Sequence, residues 1–160
     1  MRQPIDIDYD ETIPRTFMVF VQAADAVLKY ADAYFYRKAR LSTIKFIVLK
    51  GLAVRGGTMT PSEIAVWTNR ERHDITTLVD RLKRDGLVSA ERDTRDRRVI
   101  NVCLTDKGRE TLNEVTPVAR EIINQVMSSI DEDNALLLEK LLQVLRQNSH
   151  AGLEEIKKPL

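Results

Sequence analysis

The chain has 160 residues and a mass of 18.3 kDa, with 43% apolar and 31% charged residues, which suits one soluble domain or a compact domain with attached helices. Its 25 basic and 24 acidic residues give a net charge of +1, which excludes a histone-like protein but not a local basic surface. One cysteine excludes an internal disulfide framework, and no apolar run reaches the roughly 18 residues of a membrane helix. The N-terminus lacks the order of a signal peptide, so we expect a cytoplasmic protein without a membrane partner.

The first half of the chain has the apolar spacing of helices. Residues 1–12 are acidic and predict an extended or disordered arm. Apolar side chains then recur every three or four residues, which places them on one face of a helix. This periodicity predicts four helices, over about 13–40, 42–55, 61–68 and 72–85. The third begins at a capping box formed by Thr60 and Glu63, and Gly86 ends the fourth.

The second half begins with a hairpin and continues in helices. Two runs of strand-forming residues, over 87–92 and 97–104, flank a polar turn and predict a strand–turn–strand hairpin. Thr105 then caps a long helix whose apolar residues continue to Ile130, and in which Pro117 predicts a kink. Asp131 caps a last helix, and Gly152 and Pro159 predict a frayed tail. A short helix, a turn, a second helix and a hairpin are the order of a winged helix-turn-helix.

The fourth helix carries a polar face opposite its apolar stripe. With Ile75 and Leu82 inward, a rotation of about 100° per residue turns short polar side chains outward in its first half. Such a face fits the major groove of DNA, and basic residues near the helix start suit phosphates. The side chains predicted to contact DNA here are Arg70, Arg72, His73, Thr76, Thr77, Arg81 and Arg84. Asp80 also faces outward, and an ordinary solvated face is the alternative.

Arginines gather around the predicted hairpin turn. Within seven residues the chain carries Arg92, Arg95, Arg97 and Arg98. Guanidinium groups suit phosphates and the negative potential of a narrow minor groove. We therefore predict a projecting wing in which Arg92, Arg95 and Arg97 contact DNA, while the interleaved acids brace the arginines. A charge run that serves solubility is the alternative.

Three segments of the sequence resemble one family. The run Ile75–Val88 resembles the recognition helix of the MarR family of bacterial and archaeal regulators. Asp93–Arg98 is similar to the family's wing, and Leu104–Gly108 is similar to the start of its long fifth helix. The resemblance covers about 41–109 by motif and the whole chain by helix order. It implies a homodimer on a pseudo-palindromic operator, usually a repressor of nearby genes that a small molecule or oxidation releases.

The resemblance also implies roles for individual positions. Thr76 and its neighbours correspond to the residues that read the major groove, and Arg95 and Arg97 to those that reach the minor groove. The residues implied to brace the wing are Glu71, Asp96 and Arg98, with Glu71 placed to bind Arg98. Many members carry arginine where this chain has Thr77, so we expect a different base preference.

The first and last helices carry apolar stripes that a small winged domain does not cover. In the last helix the stripe is Leu138, Leu141, Leu142 and Leu145. Packing against a symmetry mate buries these stripes and places two recognition helices about one DNA turn apart, whereas packing within one chain is the alternative. We expect an N-terminal arm and dimerisation helix over 1–40, a winged helix-turn-helix lobe over 41–105, and C-terminal dimerisation helices over 106–160.

Aromatic and basic residues near the end of the first helix form a candidate effector cleft. By resemblance we expect a small aromatic or anionic effector, and the candidate pocket residues are Tyr34, Tyr36 and Arg40. Packing of these rings in the core is the alternative. A redox sensor that acts through Cys103, in the second wing strand, is a further alternative to ordinary packing of that thiol.

The sequence has none of the patterns of an enzyme. It contains no Gly-rich phosphate loop and no Ser–His–Asp order, and its two histidines, His73 and His150, have no paired metal-ligand spacing. We therefore expect no catalytic residue, no cofactor and no metal site. The remaining alternative is a winged-helix module that binds another protein without effector sensing, and such a module has no salt-dependent affinity for DNA.

Overall fold

The computed structural model describes residues 11–94 and 96–158. Its elements in chain order are α1 (Thr12–Ala39), α2 (Thr43–Val54), β1 (Thr58–Met59), α3 (Pro61–Thr68), α4 (Arg72–Arg84), β2 (Val88–Arg92), β3 (Ile100–Leu104), α5 (Asp106–Val126) and α6 (Glu132–Ile156). The fold class is the predicted one, mainly α with a small β-hairpin wing. Most of the predicted arm, Arg95 in the wing and the end of the predicted frayed tail lie outside the described residues.

Local start and stop signals operate as the sequence predicts. The Thr60 hydroxyl accepts the N–H of Glu63 at 3.3 Å, and the Glu63 carboxylate accepts the N–H of Thr60 at 2.7 Å, so a capping box opens α3. The backbone N–H and then the hydroxyl of Thr60 lower the pKa of the Glu63 carboxyl. Asp131 likewise accepts the N–H of Asn134 at 2.8 Å at the start of α6. Gly86 has a φ of 75°, a left-handed conformation that glycine adopts without strain.

The hairpin region differs from the sequence prediction in two respects. The second strand begins at Ile100 rather than at residue 97, because the preceding residues form a loop. The N–H of Asp93 donates to the carbonyl of Val99, and the N–H of Val99 donates to the carbonyl of Asp96, both at 2.9 Å. In addition, the two-residue strand β1 pairs antiparallel with β3, with Met59 opposite Val102, so the sheet has the order β1-β3-β2. A strand of two residues is too short for an alternating pattern, which is why the sequence does not reveal it.

The limits of the two long C-terminal helices also differ from the prediction: α5 ends earlier, and α6 continues through Gly152 to Ile156, where the sequence predicts a frayed tail. α5 continues through Pro117 without a break and ends at Val126, so Ile130 lies in the connection rather than in the helix. The chain divides near this helix end into two compact units, one that ends at Ile123 and one that begins at Asn124. The three-part division at residues 40 and 105 stays a prediction.

The unit that ends at Ile123 contains the buried apolar residues of the described chain. Its fully buried larger side chains are Val48, Leu49, Leu52, Ile64, Ile75, Leu82 and Val102. They come from α2, α3, α4 and β3, so these elements share one core. The predicted inward stripe of α4 is confirmed, since Ile75, Leu78, Val79 and Leu82 are all buried. This packing fixes which face of α4 points outward.

The unit that begins at Asn124 contains α6, and no residue of α6 is buried. Its exposed large apolar side chains include Leu136, Leu137, Leu138, Leu141, Leu142, Val144 and Leu145. α1 buries only Ala31 and Phe35, although it carries many apolar residues. Over residues 11–94 and 96–158, no helix is long and apolar enough to cross a membrane.

Candidate nucleic-acid interface

The helix-turn-helix consists of α3, a short turn and α4. Asn69 in the turn has a φ of 51°, and the N–H of Arg70 donates to the carbonyl of Ala65 at 3.0 Å, which closes α3. The left-handed residue reverses the chain so that α4 begins three residues later. Ile64 of α3 and Ile75 of α4 are both fully buried in the same core, so the two helices are held together by packing.

The outward face of α4 and the turn before it carry the side chains that the sequence predicts to contact DNA. All of them are exposed: Arg70, Arg72, His73, Thr76, Thr77, Arg81 and Arg84. The threonines lie in the first half of the helix, where short side chains permit close approach to a groove. His73 lies 3.3 Å from the Asp74 carboxylate, and exposed Asp80 lies 3.9 Å from Lys83. The structure thus brings these residues together, and their contact with DNA stays a prediction.

The wing places further arginines on the same unit. Arg92 is the last residue of β2 and pairs with Ile100 in the ladder, while Arg97 and Arg98 lie in the loop. All three arginines are exposed. Arg95, which is predicted to reach the minor groove, lies outside the described residues. The described wing therefore presents cationic side chains at its tip, as the sequence predicts.

Asp93 and Asp96 organise the wing loop through its backbone. One carboxylate oxygen of Asp93 accepts the N–H of Asp96 at 3.0 Å, and the other accepts the Asn101 side-chain amide at 3.0 Å. Asp96 accepts the backbone N–H of Arg98 at 2.9 Å, so its bracing contact is with the backbone. The ion pair of Glu71 with Arg98 stays a prediction. Sequence reasoning misses the role of Asn101, for which the turn preference of aspartate at position 93 is the available signal.

The C-terminal end of α4 is fastened to α2 and α5. Lys45 of α2 forms an ion pair with the Asp85 carboxylate, and Lys107 of α5 donates to the Asp85 carbonyl oxygen at 2.7 Å. The Thr105 hydroxyl donates to the carbonyl of Gly86 at 2.8 Å. The sequence does not reveal the ion pair, because its partners are 40 residues apart.

The run Leu104–Gly108 has a physical role in this arrangement. The Thr105 hydroxyl accepts the N–H of Gly108 at 3.0 Å, so it caps α5 while it also binds Gly86, just after α4. A Cβ at Gly108 clashes with the carbonyl oxygen of Leu87, so only glycine allows α5 to approach the backbone between α4 and β2 this closely. The motif therefore joins the start of α5 to the segment that follows α4.

The three predicted effector residues have separate contacts within the chain. The Tyr34 hydroxyl donates to Glu121 of α5 at 2.6 Å, and this hydrogen bond is the main cause of the raised pKa of Tyr34. Tyr36 is exposed, and the Arg40 guanidinium lies 5.0 Å from its ring centroid, within the range of a cation–π contact. Tyr34 and Tyr36 are two residues apart on α1 and thus point in different directions. The effector pocket stays a prediction.

Cys103 is half-buried within the sheet. The Thr58 hydroxyl donates to its sulfur at 3.6 Å across the β1–β3 pair. Redox sensing by this thiol stays a prediction. For metals, positions 11–94 and 96–158 contain no group of three His, Cys, Asp or Glu side chains placed to hold an ion.

Comparison with known proteins connects this geometry to a family. A family model described as MarR family matches residues 41–99, which extend from the start of α2 into the wing. The HTH-type transcriptional repressor YetL of Bacillus subtilis (strain 168) is 31% identical over 116 residues, which cover 72% of this chain and 70% of YetL. The chain belongs to the MarR family. It is therefore a winged-helix transcriptional regulator.

Solved structures share the fold of this MarR-family protein. Sco3205, a MarR family transcriptional regulator from Streptomyces coelicolor solved in complex with DNA, has a TM-score of 0.80 at 21% identity, covering 83% of this chain and 84% of Sco3205. BpsR of Bordetella bronchiseptica has a TM-score of 0.71 at 21% identity, covering 82% of this chain and 98% of BpsR. At these identities the likeness shows the fold alone.

Proposed function

We propose that this MarR-family protein is a homodimeric, sequence-specific repressor that binds double-stranded DNA at a pseudo-palindromic operator. One observation carries the proposal: α4 buries its apolar stripe in the core and thereby presents threonines and arginines outward, beside a wing with further exposed arginines. Family membership and the repressor YetL support the regulatory role. A regulator of this kind needs no catalytic group, and we propose that the protein is not an enzyme and acts in the cytoplasm.

DNA reading divides between the two exposed elements. The hydroxyls of Thr76 and Thr77 approach base edges in the major groove, while Arg72 and neighbouring basic side chains bind phosphates. Arg92 and Arg97 of the wing, together with Arg95, bind the flanking minor groove or its phosphates. The complex of Sco3205 with DNA supports this mode, because the two proteins share a fold.

Dimerisation supplies the cover that α1 and α6 lack within one chain. Full burial of an exposed leucine side chain contributes about 1.5–3 kcal/mol. Leu138, Leu141 and Leu142 are 37–55% exposed, so covering each of them contributes part of this value and the stripe together favours association. Neighbouring exposed apolar side chains such as these are typical of an interaction site. A symmetric pair of chains presents two copies of α4 about 34 Å apart, which is one turn of DNA.

A small aromatic or anionic molecule releases the repressor in this proposal. BpsR supports it, since 6-hydroxynicotinic acid regulates the DNA binding of that protein. In this chain, Tyr36 and Arg40 offer an aromatic face next to a guanidinium, and Tyr34 offers a hydroxyl near α5. These groups suit an aromatic carboxylate, which carries both a ring and an anion.

Selection from a pool of random duplexes tests the DNA-binding proposal. We expect the wild-type protein to enrich an inverted repeat, and its affinity for that duplex to fall steeply as the salt concentration rises. Thr77→Val removes one hydroxyl with little change in volume, so it changes the enriched bases and leaves the salt dependence unaltered. A protein that enriches no sequence and has no salt-dependent DNA affinity is instead the protein-binding module.

A further inference from the structure

The end of the recognition helix is held by lysines from two other helices. Lys45 of α2 forms an ion pair with the Asp85 carboxylate, and Lys107 of α5 donates to the Asp85 carbonyl at 2.7 Å. We call Lys45, Asp85 and Lys107 the α4 clamp. Both cations lie at the negative end of the α4 dipole, where positive charge is stabilising. The α4 clamp thus joins α2, α4 and α5 at a single residue.

The ion pair in the α4 clamp differs from the ion pair of Lys83 with Asp80 on the surface of α4. The Lys45 side chain is 22% exposed and the Asp85 side chain 44%, so solvent screens their attraction only in part. Lys83 and Asp80 are 45% and 62% exposed and 3.9 Å apart, which is typical of a surface pair that contributes little. Asp80 therefore serves as a matched reference for Asp85: the two are acids near the same helix end, and only one is tied to other helices.

We propose that Asp85 is a positioning residue for DNA reading, because the α4 clamp fixes the tilt of α4 relative to α2 and α5. This inference rests on the proposed DNA-binding function. An apolar stripe keeps a helix on its core but tolerates small rotations, whereas an ion pair and hydrogen bonds at one end fix a direction. Thr76 lies about 13 Å along the helix from Asp85, so a tilt of about 10° moves it by about 2 Å. Groups that bind specific bases tolerate only about 0.5 Å.

Asp80→Asn and Asp85→Asn are expected to change the affinity for the specific duplex in opposite directions. Loss of a negative charge near DNA strengthens attraction to phosphates at any sequence, so Asp80→Asn raises affinity for all duplexes. Asp85→Asn removes the same charge but also breaks the ion pair with Lys45, whereas the hydrogen bond from Lys107 to the backbone carbonyl of residue 85 is retained. Under the proposal this substitution lowers affinity for the specific duplex while affinity for other sequences stays the same or rises. A purely electrostatic role for Asp85 predicts an increase for both.

The experiment compares two duplexes, the one that the wild-type protein enriches and a shuffled duplex of the same composition. The full-length variants are Asp85→Asn, Asp80→Asn, Lys45→Met and the double variant Asp85→Asn with Lys45→Met. We expect Asp85→Asn to lower the ratio of specific to shuffled affinity by about fivefold to tenfold, and Asp80→Asn to leave that ratio within about twofold of the wild-type value. Lys45→Met lowers the ratio in the wild-type background, but in the Asp85→Asn background it lowers the ratio by less than about twofold more.

Each outcome decides between the proposal and its competitors. A folded, dimeric Asp85→Asn protein whose affinity ratio equals or exceeds the wild-type ratio overturns the proposal, as do additive losses from the two single variants. If Asp85→Asn does not fold, Lys45→Met carries the test, since an unchanged ratio in that variant also overturns the proposal. If the wild-type protein enriches no duplex, the DNA-binding function itself fails, which is a different result from an enriched duplex that Asp85→Asn binds normally.

Discussion

Two amphipathic helices of this protein, α4 and α6, place their apolar side chains in opposite environments. The stripe of α4 is buried in the core of its own chain, whereas α6 carries leucines at helical spacing and buries none of its residues. Apolar surface left in water is unfavourable, so α6 requires a cover that α4 already has. α4 exposes a polar face and α6 exposes an apolar one. The proposed function assigns DNA reading to the first face and assembly of the dimer to the second.

The largest effect is expected from charges introduced on the apolar face of α6, because they remove the difference between this face and the polar face of α4. Leu138→Asp combined with Leu141→Asp should raise the dimer dissociation constant by at least about 100-fold, because a symmetric interface would have to bury two unpaired charges from each chain in place of leucines. Operator affinity should fall together with the loss of the dimer, because a single chain contacts only one half-site. Sedimentation equilibrium measures the first effect, and titration of the enriched duplex measures the second. Gln143→Asp adds a charge at a polar position of the same helix and should leave the dimer intact; a double variant that remains dimeric contradicts the assignment of α6.

The same leucine-to-alanine substitution in α4 and in α6 compares the contribution of the two apolar stripes to stability. Leu82→Ala in α4 should lower the unfolding free energy by about 2–5 kcal/mol, because Leu82 is fully buried and its removal leaves a cavity. Leu141→Ala should have a smaller effect, most of which disappears on dilution, because the exposed half of Leu141 is covered only in the proposed dimer. Urea unfolding at high and low protein concentration distinguishes the two variants. If the decrease in unfolding free energy depends on protein concentration to the same extent in both variants, the assignment of the two stripes is wrong.

The wing tests the DNA side of the comparison without touching either apolar stripe. Arg97→Ala should weaken binding to all duplexes and reduce the slope of log affinity against log salt by about one unit, since one phosphate contact is lost. The same change at Arg95 has the same expected result. Titration across a series of salt concentrations measures this slope, and an unchanged affinity at every salt concentration rejects the role of the wing.

The smallest expected effect concerns the capping box that begins the helix-turn-helix. Because the pKa of Glu63 is lower in the folded state, its ionised form contributes stability above the ordinary pKa of a glutamate, and this contribution is lost as pH falls through the folded pKa. Glu63→Gln should therefore cost about 0.5–1 kcal/mol at pH 7. Its cost should shrink under acid conditions below the folded pKa. Urea unfolding of both proteins over this pH range measures the difference, and a constant difference would falsify the assigned role.

Features encoded within a few residues are predictable from this sequence. The capping box of Thr60 and Glu63 spans four positions, and the α4 stripe follows from spacing along one helix. Both predictions are confirmed. The short strand β1 and the ion pair of Lys45 with Asp85 depend on segments that meet only after folding. Local propensity carries no information about such pairs, because tertiary packing decides them.

In the candidate site, too, features encoded within one segment are predictable from the sequence, whereas contacts between distant segments are not. The exposed face of α4 follows from which residues are buried, and the arginine cluster is visible as a run in the sequence. The partner of Tyr34 is not visible in this way, since Glu121 lies 87 residues later, on α5. A joint pocket of Tyr34, Tyr36 and Arg40 stays a prediction from residue types, which carry no information on the direction in which each side chain leaves the helix.

A hydroxyl-radical footprint of the wild-type protein on its enriched duplex tests the central claim most directly, namely that two chains read two half-sites. The account predicts two protected half-sites in inverted orientation, with centres about 10–10.5 base pairs apart, and protected minor groove at both flanks. Sedimentation of the same complex should give two chains per duplex. One uninterrupted protected stretch that holds a single chain would contradict the account.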